Sequence, residues 1–352
     1  MTDTLDALDH LAGSGSAATI DRAVPEVGAT PAGVTDDAAF TKILGRLSKL
    51  SVERHFDAYV DVPWDDPDLQ VDVADPRWAM FSADPLADTE WFRAQPPAKQ
   101  SEIGLYRMAS VMKTGWHFEN LLQRGLLQYA FSLPNHAPEF RYLHHEVIEE
   151  SQHTLMFQEL VNRSGLPVKG LPRAIRALAT MFVVPLVRVN PALFFWFVLG
   201  GEDPVDHLQK LQIASGTGHP LTNRIYRIHV TEEARHLSFA RHFLRRSVPQ
   251  LPRARRFALS LVLPVLFAVM TRMMLCVAPD LVRHCGVPKD VNRAAWRSPA
   301  GRRLLREAVA KPRQLAGELG LLNPVAIRVW KLGRVWDEPV AAPARRATRP
   351  AA

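Results

Sequence analysis

Two cysteines among 352 residues, Cys276 and Cys285, cannot make a disulfide framework, which points to a reducing, cytoplasmic setting. Alternating Val, Ile and Thr runs at strand spacing are missing, which argues against a sheet. No apolar run reaches the roughly 20 residues that a membrane span needs. The most apolar one, 257-FALSLVLPVLFAVMT-271, lies between Arg256 and Arg272 and contains Pro264, and 189-VNPALFFWFVLGG-201 is shorter. Both read as helices buried in a large core or a subunit interface, so membrane association is not expected. The start of the chain, 1-MTDTLDALDHLAGSGSAAT, is acidic and has no apolar segment of the kind a secretory signal carries. The formal net charge is +7. Its late arginines, as in 252-PRARRF and 344-ARRATR, are dispersed and not interleaved with aromatics for base stacking. No nucleic-acid partner is expected.

What the chain does have is helical periodicity. Helices are predicted over about 37–58, 99–131, 137–164, 172–187, 190–214, 220–246, 254–278 and 299–318. The stretches 133-LPNHAP, 165-GLPVKGLP and 215-SGTGHP separate them. The stretch 61-DVPWDDPDLQVDVADPRW-78 holds too many Pro and Asp residues for a helix and is expected to be an ordered connecting arm. Residues 1–35 and 336–352 have the composition of disordered tails. Residues 36–335 are then one all-α domain, with long helices suited to a bundle over 99–246.

One segment concentrates the chemistry: 228-IHVTEEARHLSF-239. On an α-helix, positions i, i+4 and i+7 fall within roughly 60° of arc. His229, Glu233 and His236 have that spacing. Their stripe continues through Tyr226, Ala240 and Phe243, so it is the apolar face. Thr231, Glu232 and Arg235 point elsewhere, Glu232 toward solvent. Burying two imidazoles and a carboxylate costs several kcal/mol without partners, and a metal would compensate directly. The earlier helix, 143-LHHEVIEESQHTLMFQEL-160, repeats the pattern, with Leu143, Glu146, Glu150, His153, Phe157 and Leu160 on one stripe. Glu149, like Glu232, is expected on the solvent side. A single Glu-x-x-His is ordinary surface charge. Two copies on apolar stripes of long helices match bundles that hold a pair of metals, where each of two other helices adds one glutamate.

The interval from Glu150 to Glu233 is 83 residues, and the same interval leads from Glu119 to Glu202. Each lone glutamate precedes its Glu-x-x-His by 31 residues. Two helical hairpins with equal arms place these groups at equal depth, as a pseudo-twofold bundle requires. Gly200 and Gly201, just before Glu202, allow either close approach of a neighbour or a local helix distortion. The interval also pairs His229 with Glu146, so the halves differ in residue type there. The candidate ligands are Glu119, Glu150, His153, Glu202, His229, Glu233 and His236. Four carboxylates balance two ferrous ions, so Glu146 is expected outside the ligand set. Glu146, Tyr142, His145 and Asp203 are candidates for orienting the ligands from behind.

Carboxylate and imidazole donors suit iron or manganese and argue against structural zinc. Two iron ions with open positions suit O2 activation. The set of seven, with His229 one turn ahead of Glu233-x-x-His236, resembles that of the p-aminobenzoate N-oxygenase (AurF-like) family of di-iron arylamine oxygenases. The arm at 62-VPWDDPDLQV-71 is also similar to that family's N-terminal region. The resemblance implies a ferritin-like four-helix bundle with additional flanking helices, forming a homodimer. It implies oxidation of an aromatic amine to hydroxylamine and nitro products, with O2 and an external electron donor. Two other classes compete. A di-iron hydroxylase or desaturase could line an acyl tunnel with segments 177–201 and 257–271, but that class normally lacks the His229 equivalent. A ferritin-like iron-binding protein needs little beyond one bundle, and this chain continues well past it.

Overall fold

The computed structural model describes residues 35–337. The tails expected to be disordered lie outside the described residues, save Thr35, Trp336 and Asp337. Among the described residues there is no strand, and the all-α architecture is as expected. The chain opens with α1 (Asp37–Glu53) and a single-turn α2 (Glu90–Arg93). The long helices follow: α3 (Pro97–Phe131), α4 (Glu139–Ser164), α5 (Arg173–Val189), α6 (Pro191–Ser215), α7 (Pro220–Ser247) and α8 (Arg253–Leu275).

Two hairpins form the centre. Helix α3 packs along α4, and α6 packs along α7. The crossover α5 joins them, and α1 lies against both α4 and α7. Sequence sets the ends of these arms. Helix α4 closes on Gly165 and α6 on Gly216, both in the left-handed region that glycine adopts without strain (φ +62° and +64°). Helix α6 starts with Pro191 after Asn190, whose side chain accepts from the Leu193 N–H at 3.1 Å. Helix α7 starts with Pro220 after His219, whose Nδ1 accepts from the Leu221 N–H at 3.3 Å. The core below the polar centre is aromatic, with Phe118, Tyr142, Phe195, Trp196 and Phe239 fully buried.

Several expectations are corrected. Helix α1 stops at Glu53, and the stretch expected as one helix over 299–318 is two, α11 (Pro299–Glu307) and α12 (Ala310–Glu318). The short helices α9 (Pro279–His284), α10 (Lys289–Arg297) and α13 (Pro324–Leu332) were not foreseen, because two or three turns show too little periodicity. Among the described residues, the stretch Arg253–His284 is long and apolar enough by composition to cross a membrane, contrary to the sequence reading. Half of its apolar window is buried inside the protein, where Leu263 and Phe267 pack, which fits a core helix.

The arm between α1 and α3 is ordered, with 3-10 turns at Pro67–Leu69 and Pro76–Trp78 and with Trp64 and Trp78 buried. Gly104 on α3 lets the arm come close: a Cβ there would overlap the Trp78 carbonyl oxygen. That oxygen is backbone and has nowhere to turn. Gly104→Ala is therefore expected to destabilise the protein by about 3 kcal/mol or more, measured by urea unfolding.

Candidate metal centre

The bundle brings all seven candidate ligands together, and each is buried. Helix α3 supplies Glu119, α4 supplies Glu150 and His153, α6 supplies Glu202, and α7 supplies His229, Glu233 and His236. Ligand atoms of Glu119, His153, His229 and Glu233 lie within 4.8 Å of one another. A second grouping at the same spacing holds Glu146, Glu150 and His236. Glu202 joins neither grouping, although its Oε2 is 4.0 Å from His229 Nε2. Glu150 and Glu233 stand between the two groupings. The Glu150 carboxylate reaches Nδ1 of both His153 and His236 at 3.1 Å, and Glu233 Oε1 lies 2.9 Å from His236 Nδ1 and 3.6 Å from His153 Nδ1.

Each imidazole is held by its outer nitrogen. His153 Nε2 donates to Glu232 Oε2 at 2.9 Å, and His236 Nε2 donates to Glu149 Oε2 at 2.7 Å. His229 Nδ1 donates to Gln209 Oε1 at 2.9 Å. These partners leave one ring nitrogen of each histidine facing the carboxylates, the arrangement that a metal-binding imidazole needs.

This corrects the solvent-facing placement of Glu149 and Glu232, which are 2% and 0% exposed. A residue next to the ligand stripe is 100° round the helix, and in a bundle that direction points at the neighbouring helix rather than at water. Each of the two glutamates therefore crosses to the histidine of the opposite motif. Arg235 sits between them, with Nη2 2.8 Å from Glu149 Oε1 and 3.4 Å from Glu232 Oε1. The arm finishes the cover, where the Phe56 N–H donates to Glu232 Oε1 at 3.1 Å. The signal was present in the sequence, since Glu149 and Glu232 are themselves 83 residues apart. Gln209 has no counterpart in the other half and carried no such signal.

The other expected supports fare differently. Tyr142 is fully buried and its hydroxyl has no hydrogen-bond partner. His145 lies off the site, where its Nε2 takes a long hydrogen bond from Arg141 Nε at 3.4 Å. Asp203 pairs instead with Arg241. The Gly200–Gly201 question resolves toward close approach, because the helix runs on unbroken and a Cβ at Gly201 would overlap the Phe118 ring.

Electrostatics favour a cation here. Burial, then neighbouring carboxylates, hold Glu119 and Glu202 well above the usual carboxylate range. Burial raises Glu146 strongly and Glu233 as well, the latter against the pull of His236. Burial would also raise Glu150, but His236 and His153 take it well below that range. Burial holds His229 well below the usual imidazole range, so it is neutral. Glu119 Oε2, Glu146 Oε2, Glu202 Oε1 and Glu233 Oε2 are buried and have no hydrogen-bond partner. Such atoms are costly unless something positive faces them.

A narrow pocket abuts this centre. Glu119, Glu202 and His229 form its polar wall. The sequence profile of the p-aminobenzoate N-oxygenase AurF family matches residues 37–320, from α1 to just past α12. The chain belongs to the AurF family. Similar proteins include the uncharacterized proteins Rv0885 of Mycobacterium tuberculosis and Mb0909 of Mycobacterium bovis. Each is 42% identical over 309 residues, covering 87% of this chain and 90% of the relative. The buried glutamate and histidine clusters of this AurF-family chain are thus set in a family described by an oxygenase.

The crossed Glu–His pairs in this AurF-family chain give a direct prediction. Glu232→Ala and Glu149→Ala each remove the acceptor that fixes one imidazole. Each is expected to weaken iron binding by about 10–100-fold, read by chelator competition. Unchanged affinity in both would show that the pairs are packing only.

Proposed function

We propose that this AurF-family chain is a di-iron oxygenase that uses O2 to oxidise an aromatic amine at nitrogen. The observation that carries the reading is the pair of adjacent carboxylate–imidazole groupings, with outer imidazole nitrogens already held by Glu232, Glu149 and Gln209. Glu119, His153 and His229 would hold one iron and His236 the other, with Glu202, whose Oε2 is 4.0 Å from His229 Nε2, completing the set. Glu150 and Glu233 lie between the imidazoles and would serve both. Manganese fits the same donors. The unpartnered buried carboxylate oxygens support the fit. The bound metals would supply O2 reduction. The chain's own residues hold ligand geometry and shield it from water with Phe118 and Phe157. The first step would convert amine, O2, two electrons and two protons into hydroxylamine and water. An external donor supplies the electrons, and a homodimer in the cytoplasm is the proposed setting.

The test is to purify the protein, measure iron, manganese and zinc per chain, reduce it, and add O2 with arylamines and fatty acyl substrates. About two iron or manganese ions per chain and a hydroxylamine or nitro product are expected. Zinc alone, or turnover of acyl chains but no amine, would defeat the reading. The groupings also place Glu146 beside Glu150 and His236, where it competes with its expected role outside the ligands. His229→Ala is expected to lower metal content more than Glu146→Gln. Equal losses in metal analysis would put Glu146 among the ligands.

A further inference from the structure

We infer that the cavity beside the metal centre takes an uncharged, apolar arylamine and discriminates against aminobenzoates. The inference rests on the N-oxygenase reading of the same site. Away from Glu119, Glu202 and His229, the cavity wall is apolar: Val111, Met112, Phe118, Phe157, Val205 and Met274 line it. The remaining polar side chains there are Thr114 and Gln209, neither of which carries a positive charge. No lysine or arginine lines it among the described residues.

An amine oxidised at nitrogen must face the metals, so its para substituent faces away from them, toward the apolar wall. A carboxylate there would lose its water with no cation to replace it. A second cavity shares Val111 with the first and includes Arg77 and Arg107 in its wall. Neither guanidinium is free to serve. Arg77 pairs with Asp75 at 2.7 Å and with Asp68 at 3.3 Å. Arg107 pairs with Asp84 at 3.1 Å and also donates to the Leu275 carbonyl. The negative field of the buried glutamates adds to the bias against an anion.

The test uses the iron-loaded full chain under argon near neutral pH, where p-toluidine is neutral and p-aminobenzoate is an anion of similar shape. Binding is read by titration calorimetry, with p-xylene as the apolar ligand that lacks an amine. p-Toluidine is expected to bind at least about tenfold more tightly than p-aminobenzoate. Val111→Arg places a guanidinium on the wall and is expected to shift the preference toward p-aminobenzoate by at least about tenfold. Val111 is only partly buried, and Val205→Lys tests the same wall from α6 if the first variant does not fold. Equal or tighter binding of p-aminobenzoate by the unaltered protein overturns the inference, as does failure of both p-toluidine and p-xylene to bind. Admission of O2 and reductant then separates the two readings. If p-toluidine and p-xylene bind but no amine is oxidised, the apolar cavity stands and N-oxygenation falls. If p-aminobenzoate binds and is oxidised as well as p-toluidine, N-oxygenation stands and the apolar preference falls.

Discussion

Glu150→Ala is expected to remove the metals and the chemistry together. Iron content should fall from about two ions per chain to a small fraction of that, and amine oxidation by at least about a thousandfold. Two observations set this apart from loss of an outlying ligand. The Glu150 carboxylate lies 3.1 Å from Nδ1 of both His153 and His236, so its removal opens both proposed metal positions. It is also the one buried glutamate of the cluster whose two imidazole neighbours hold it well below the usual carboxylate range against burial, so it is anionic before any metal arrives. Glu159→Ala, two turns along the same helix and paired with Arg163 at 2.8 Å, is the control and should retain wild-type metal content. Metal analysis of the two purified variants decides. A Glu150→Ala protein that keeps both ions would refute its place between them.

The second large effect concerns stability. Arg235→Met should destabilise the protein by about 3–5 kcal/mol, because it leaves two buried carboxylates without their shared cation. Glu149 is held down to about 2: burial opposes this, but the bond from His236 and the charge of Arg235 prevail. With Met at position 235, part of that support is gone, and Glu149 must either remain charged in an apolar setting or take a proton. Arg235→Lys keeps the charge but offers a point donor instead of a planar fork, so an intermediate loss is expected. Urea unfolding of the three proteins measures the order. A change below about 1 kcal/mol for Arg235→Met would mean that the triad contributes little net stability.

The two predictions differ in how early they could have been made. Glu150 was readable as a candidate because a Glu-x-x-His pair on a helix has a fixed spacing, and the spacing recurs 83 residues later. Arg235 was visible only as a charge pointing off the stripe. The same holds for Glu149 and Glu232, which phase alone assigned to solvent. Long helices from α3 to α8 were legible because many turns show the 3.6-residue period, and glycine and proline mark their ends. The short helices α9, α10 and α13 were not, having too few turns to establish a period.

By itself, then, the sequence determined an all-α chain built on two matched hairpins, and it named seven candidate side chains, six of them in register across the 83-residue interval. Those are properties of spacing along one helix, which the 1.5 Å rise and 100° turn of each residue dictate. Only the tertiary structure decided what lies behind these candidate ligands and beside them. Glu149 and Glu232 are buried because the opposing helix, not water, occupies the direction they face, with Arg235 shared between them. The apolar wall formed by Val111, Val205 and Met274 likewise comes from three different helices. Contacts between elements far apart in the chain depend on how the helices are rotated and stacked, and no periodicity within one helix encodes that rotation.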